Sequence, residues 1–146
     1  MRTQIIHLSI PGEPQGKQRP RWAPRGTYTP TKTLNFETYI KELFAIKYPD
    51  FEPVETALEM ELTARLMIPI SASKVKKLQM QRKELRPTKR PDVDNILKVA
   101  MDALESLAYK NDSQIVDGAI HKYYSYHPAM DLIIWEINLT PLPPTK

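Results

Sequence analysis

From residue 57 to 68 the chain reads ALEMELTARLMI, apolar and polar positions in alternation, a period of two that predicts a half-buried strand. TQIIHLSI, residues 3–10, predicts a first strand, stopped by Pro11 and Gly12. Between Thr31 or Thr33 and about Tyr48, Leu34, Tyr39, Leu43 and Ile46 give an approximate apolar face, and Pro49 ends that helix. Ser71 or Ser73 caps a basic helix, SKVKKLQMQRKEL, which Pro87 closes off. After Asp94 the period becomes helical again. Ile96, Ala100, Ala103 and Leu107 form one stripe, and Leu97, Met101, Leu104 and Ala108 the next. YKNDSQ reads as a loop, and two strands follow, IVDGAIHKYYSY and DLIIWEINL, expected to form a hairpin through the short HPAM turn.

This order predicts a single α+β domain with a small mixed, mostly antiparallel sheet flanked by helices. Residues 1–140 would form the domain and 141–146 an extended tail. Residues 12–30 hold three of the chain's four glycines and several prolines, a long irregular loop of the kind that carries function or stays disordered. There are no internal repeats.

A chain of 146 residues can bury one core, and 41% apolar with 26% charged residues is ordinary globular composition. With no cysteine, disulfides, zinc–thiolate sites and thiol nucleophiles are excluded. No apolar run approaches a membrane span or a signal peptide, so the expectation is a soluble cytoplasmic protein with no membrane contact.

The net charge of +4 conceals a strong segregation. Residues 17–32 carry Lys17, Arg19, Arg21, Arg25 and Lys32 with no acid. Residues 71–90 carry Lys74, Lys76, Lys77, Arg82, Lys83, Arg86, Lys89 and Arg90 against Glu84 alone. The two windows hold thirteen of the 21 basic residues, which points to a polyanion and above all to nucleic acid. Lys17, Arg19, Arg21, Arg25, Lys74, Lys76, Lys77, Lys89 and Arg90 are the candidate DNA contacts. A lysine-rich solvated surface is the plainer alternative.

Beside the second basic window stand Asp92 and Asp94, followed on one helix face by Lys98 and Asp102 at i+4 and i+8. Adjacent carboxylates repel unless a cation or proton intervenes. Asp112 follows the helix, and a return to the sheet would carry it towards them. Three converging carboxylates make a hard oxygen site for Mg²⁺ or Mn²⁺, which together with a lysine suits phosphodiester hydrolysis. Read from spacing alone, the same residues also suit a helix cap and a surface salt-bridge ladder.

RPDVDNILKVAMDAL followed by AYKNDSQIVD resembles the central signature of the RusA family of Holliday junction resolvases, endonucleases common in prophages. GKQRPRW and GTYTPTKT are similar to that family's basic N-terminal segment, so the likeness runs from about residue 10 to 125. It implies that Asp92, Asp94 and Asp112 bind the metal and are catalytic, and that Lys98 has a catalytic role. It further implies a Mg²⁺-dependent endonuclease, a four-way DNA junction as substrate, and a homodimer that places two sites on a two-fold junction. One departure is Asn111, where family members often carry an acid. Asp102 is expected to be structural through pairing with Lys98, and Asp117 is a lesser candidate.

The rival reading is a non-catalytic DNA-binding module whose aspartates are structural. GEPQGKQ falls one residue short of a phosphate loop and has Gln18 where Ser or Thr is required, so no nucleotide cofactor is expected. Trp22, beside prolines, reads as local packing, with stacking on an unpaired base as the alternative.

Overall fold

A computed structural model describes residues 1–18, 21–28 and 31–138, except the side chains of Arg21, Tyr28 and Lys32. Four strands, β1 (Arg2–Pro11), β4 (Leu58–Met67), β5 (Ile115–Ser125) and β6 (Ala129–Ile137), form one sheet in the order β1-β6-β4-β5. The β1–β6 and β6–β4 pairs are antiparallel and β4–β5 is parallel, so the sheet is mixed and mostly antiparallel as predicted. Two short strands, β2 (Arg21–Ala23) and β3 (Gly26–Tyr28), make a separate hairpin inside the long loop. Helices α1 (Thr31–Lys47), α2 (Lys74–Gln81) and α3 (Val93–Leu104) complete the α+β domain.

Alternation decides which face of the sheet is dry. Ile6, Leu8 and Ile10 of β1, Met130, Leu132 and Ile134 of β6, and Leu58, Met60, Leu62 and Ala64 of β4 are all buried. They pack with Phe36, Ile40 and Phe44 of α1 and with Ile96, Val99, Ala100, Ala103 and Leu104 of α3 in one core. Of the two stripes predicted for α3, Ile96, Ala100, Ala103 and Leu104 are buried and Leu97 and Met101 lie at the margin, while buried Val99 belongs to neither. On α1 the buried residues are Thr33, Phe36, Glu37, Ile40 and Phe44. Leu34 and Ile46, expected to face inward, are exposed, and Tyr39 and Leu43 lie at the margin. Apolar residues occur all round this helix, and the bulk of Phe36 and Phe44 sets the phase.

The predicted hairpin of the last two strands does not form, because β4 lies between β5 and β6. Only residues 126–128 link the two strands, just enough to cross two strand spacings of about 4.8 Å each. The exchange places the more apolar strand inside. β6 buries Met130, Leu132 and Ile134, whereas β5 carries Asp117, Gly118, His121 and Lys122 and suits an edge. That edge is partly covered, since Arg86 Nε donates to Lys122 O (3.0 Å) and Lys122 Nζ to Lys89 O (2.6 Å).

Two helices stop earlier than their sequences suggest. Ser73 does cap α2, its Oγ accepting from Lys76 N at 3.2 Å. The helix ends at Gln81, though, because Lys83 takes a left-handed conformation (φ 66°). Lys83 N then donates to Met80 O and Glu84 N to Gln79 O, a Schellman closure with lysine where glycine is usual. α3 ends at Leu104, where Glu105 turns extended and Ser106 adopts φ 72°.

Candidate active site

The exposed flank of α3 carries Asp94, Lys98 and Asp102 at successive turns, as i, i+4, i+8 spacing requires. Lys98 Nζ lies 3.3 Å from Asp102 and 3.5 Å from Asp112, so the lysine joins the helix to the loop that follows it. Asp112 opens a short 3-10 turn (Asp112–Gln114) just before β5. Its neighbours hold that turn rigidly. The Asn111 side chain accepts from Ser113 N (2.9 Å), and Gln114 Oε1 accepts from Lys110 N (3.0 Å) and Asn111 N (2.9 Å). Gln114 Nε2 donates in turn to Val54 O (2.9 Å) and Thr56 O (3.0 Å). Asn111, the departure from the family pattern, thus serves as the cap of this turn.

Asp102, Glu105 and Asp112 offer carboxylate oxygens within 4.8 Å of one another, and all three are half-buried. Beneath them Tyr109 is wholly buried and donates to Met101 O at 2.6 Å. Burial first, then the charges of Asp112, Glu105 and Asp102, push its phenol far above the ordinary value, so it stays neutral. Lys98 is held above its usual pKa, chiefly by its hydrogen bond to Asp102 and against a smaller opposing effect of burial.

A second lysine reaches this group from the N-terminal loop. Lys17 Nζ contacts Glu37 at 2.6 Å and Asp102 at 3.1 Å. Burial alone would lower its pKa, but the two carboxylates together outweigh that and raise it. The loop is fixed by Lys17 N donating to Asn95 O (2.8 Å) and Gln18 N to Thr33 Oγ1 (3.1 Å). Gly16 passes so close to α3 that an added Cβ would sit 3.0 Å from the Cβ atoms of both Asn95 and Pro91.

Lys98, Asp102 and Asp112 are brought together, whereas Asp92 and Asp94 stand at the start of α3, outside that carboxylate group. Asp92 is the N-cap residue by position but its side chain makes no cap hydrogen bond. Among the described residues neither Asp92 nor Asp94 has a side-chain ion pair or hydrogen bond, and both are exposed. Asp117 is exposed on β5. Of the candidate DNA contacts, Lys74, Lys76, Lys89, Arg90 and Arg25 are exposed and Lys77 is half-buried, whereas Lys17 turns inward to the acids. Arg19 and the side chain of Arg21 lie outside the described residues.

Sequence reasoning did not single out Glu37, Glu105 or Gln114. A signal exists for Glu37, a carboxylate between Phe36 and Ile40 on the buried side of α1, but the apolar pattern of that helix points to a different phase. Glu105 carried none, because only the sharp end of α3 turns it towards Asp112.

Residues 11–134 match the model of the family described as endodeoxyribonuclease RusA, a span that includes both the N-terminal loop and the acidic helix. The chain is also 34% identical over 139 residues to Uncharacterized protein YqaN of Bacillus subtilis (strain 168), a match covering 91% of this chain and 97% of that protein. With the match running through Lys17, α3 and the Asp112 turn, this chain belongs to the RusA endodeoxyribonuclease family.

Proposed function

We propose that this protein is a Mg²⁺-dependent endonuclease that resolves four-way DNA junctions by paired nicks, acting as a homodimer in recombination and repair. The observation that carries the reading is Lys98 bridging α3 to Asp112 within a group of carboxylates, on a molecule whose basic residues are segregated from its acids. A binding module could hold the same pairs as a surface salt-bridge ladder, so cutting is what separates the two readings.

A carboxylate donor set suits a hard divalent cation, and the acids whose oxygens lie within 4.8 Å of one another in the structure are Asp102, Glu105 and Asp112. Asp92, Asp94 and Asp112 are the proposed ligands. Asp102 is already compensated by two ammonium groups, whereas Asp92 and Asp94, two positions apart at the start of α3, are exposed and unpaired among the described residues and so free to take a cation. A cation held by these carboxylates would supply activation of water and charge neutralisation at the phosphate. Lys98, held protonated by its carboxylate partners, acts as a fixed positive charge on the pentacoordinate phosphate rather than as a base. Asp102 orients Lys98, and Lys17 orients Asp102. The exposed cations of α2, with Lys89 and Arg90, would hold phosphates of the junction arms.

The test compares a mobile four-way junction with linear duplex of the same sequence, with Mg²⁺ or EDTA. Symmetric nicks in the junction alone, lost in EDTA and reduced more than about 100-fold in Asp94→Asn, are expected. Mn²⁺ titration by calorimetry separates the two carboxylate sets. Asp94→Asn should abolish binding, and a metal lost only with Asp102→Asn would move the site to Asp102, Glu105 and Asp112. Tight junction binding without cutting, in every metal and variant, would leave the DNA-binding module as the correct reading.

A further inference from the structure

Trp22 is 85% exposed. An indole can bury some 150–250 Å², so leaving one in water forgoes a large stabilisation that local packing would have supplied. The residue sits on β2, paired across the hairpin with Thr27, in a two-stranded sheet separate from the main one. Arg25 at the turn is exposed as well, and no acid occurs from residue 17 to 32. The hairpin thus presents an aromatic plane and a cation together.

Its position follows from the anchored residues. Lys17 is tied to Asp102 and Asn95, and Gln18 to Thr33, so the chain leaves the acidic site only three residues before β2 begins. Five residues span at most about 18 Å, which keeps Trp22 within that reach of Lys17. An aromatic face with a cation fits a nucleobase and its phosphate. Intact duplex hides its base faces, and only an interruption of stacking, such as a branch point, offers one. Two copies of this hairpin meeting across a two-fold axis would set like charges against each other.

We propose that Trp22 stacks on an unstacked base at the branch point of the DNA, with Arg25 on a neighbouring phosphate. The hairpin thereby reads junction structure beside the site of cutting. This rests on the junction-resolving reading above and adds a specificity-determining residue to it.

The experiment uses Trp135→Phe protein, in which Trp22 is the sole tryptophan, in EDTA so that nothing is cut. A four-way junction carrying 2-aminopurine at branch positions, and linear duplex of the same sequence, are titrated in parallel. Junction should quench Trp22 and change 2-aminopurine emission at a branch position, and duplex should do neither. Trp22→Ala should weaken junction binding about 5- to 150-fold, and Trp22→Phe should retain most of it. Saturated junction binding with Trp22 unquenched overturns the proposal. So does a Trp22→Ala protein that binds junction normally but sediments as a smaller species, which would make Trp22 a subunit contact. If wild-type protein cuts junctions while Trp22 stays silent, only the stacking falls. If it does not bind junctions at all, both readings fall.

Discussion

Glu37 is a carboxylate on the buried side of α1, tolerable only because Lys17 meets it at 2.6 Å. Replacing it with Gln leaves Lys17 paired to Asp102 alone, and should cost roughly 1–3 kcal/mol in urea denaturation, less than a fully buried pair because Lys17 is partly solvated. The pair also fixes a pH dependence. Lys17 has a folded pKa raised above 10.5, so its contribution is complete below pH 10.5 and is lost as pH rises through the folded value. The stability gap between wild type and Glu37→Gln should therefore be constant from pH 7 to 10 and narrow at higher pH. A gap that narrows below pH 9 would show that Lys17 is not the partner that matters. None of this was legible in the sequence, because Lys17, Glu37 and Asp102 lie far apart in the chain and only packing of the loop and α1 on α3 joins them. What could be read was Asp94–Lys98–Asp102, because helical spacing is a local property.

Elements whose period is regular were recovered well. β1, β4 and α3 follow from alternation or from a 3.6-residue stripe, and the serines at 71 and 73 mark the start of α2, with Ser73 the one that caps it. Pairing between strands is a different matter. Nothing in residues 115–139 says that β4 will lie between its two strands, since the choice is made by which strand is apolar enough for the interior. The loop at 12–18 was legible only as irregular chain, yet it packs on α3 as closely as a core element. Gly16→Ala tests that packing. The clash is with two Cβ atoms close to the backbone, which move at greater cost than the end of a long side chain, and overpacking of this kind costs about 1–3 kcal/mol. That exceeds the 0.4–1 kcal/mol gained by restricting the unfolded chain. The variant should be destabilised in urea, and its nicking rate should fall further than the stability loss explains, because Lys17 moves with the loop. A variant as stable and active as wild type would mean the loop yields freely.

On the scale of the whole molecule, α1 and α3 pack on the dry face of the sheet and the basic α2 lies by its β5 edge. Among the described residues no helix is long and apolar enough to cross a membrane. If Lys74, Lys76 and Lys77 each contact one phosphate, the triple Ala variant should bind junctions with a log K against log salt slope shallower by about three units. An unchanged slope would place the DNA on another surface.

The order of the sheet also bears on biosynthesis. β6 is an inner strand, bonded to β1 on one side and β4 on the other, yet it follows every other strand in the chain. On a ribosome, β1 would wait with its inward edge unpaired until the last strand emerged to fill the gap. The helix bearing Asp94 and Lys98 would have no finished sheet to pack against until then. A nascent chain halted before residue 129 would carry the acids of the candidate site but not the sheet that α3 packs against, so assembly of that site would wait for β6 to leave the tunnel.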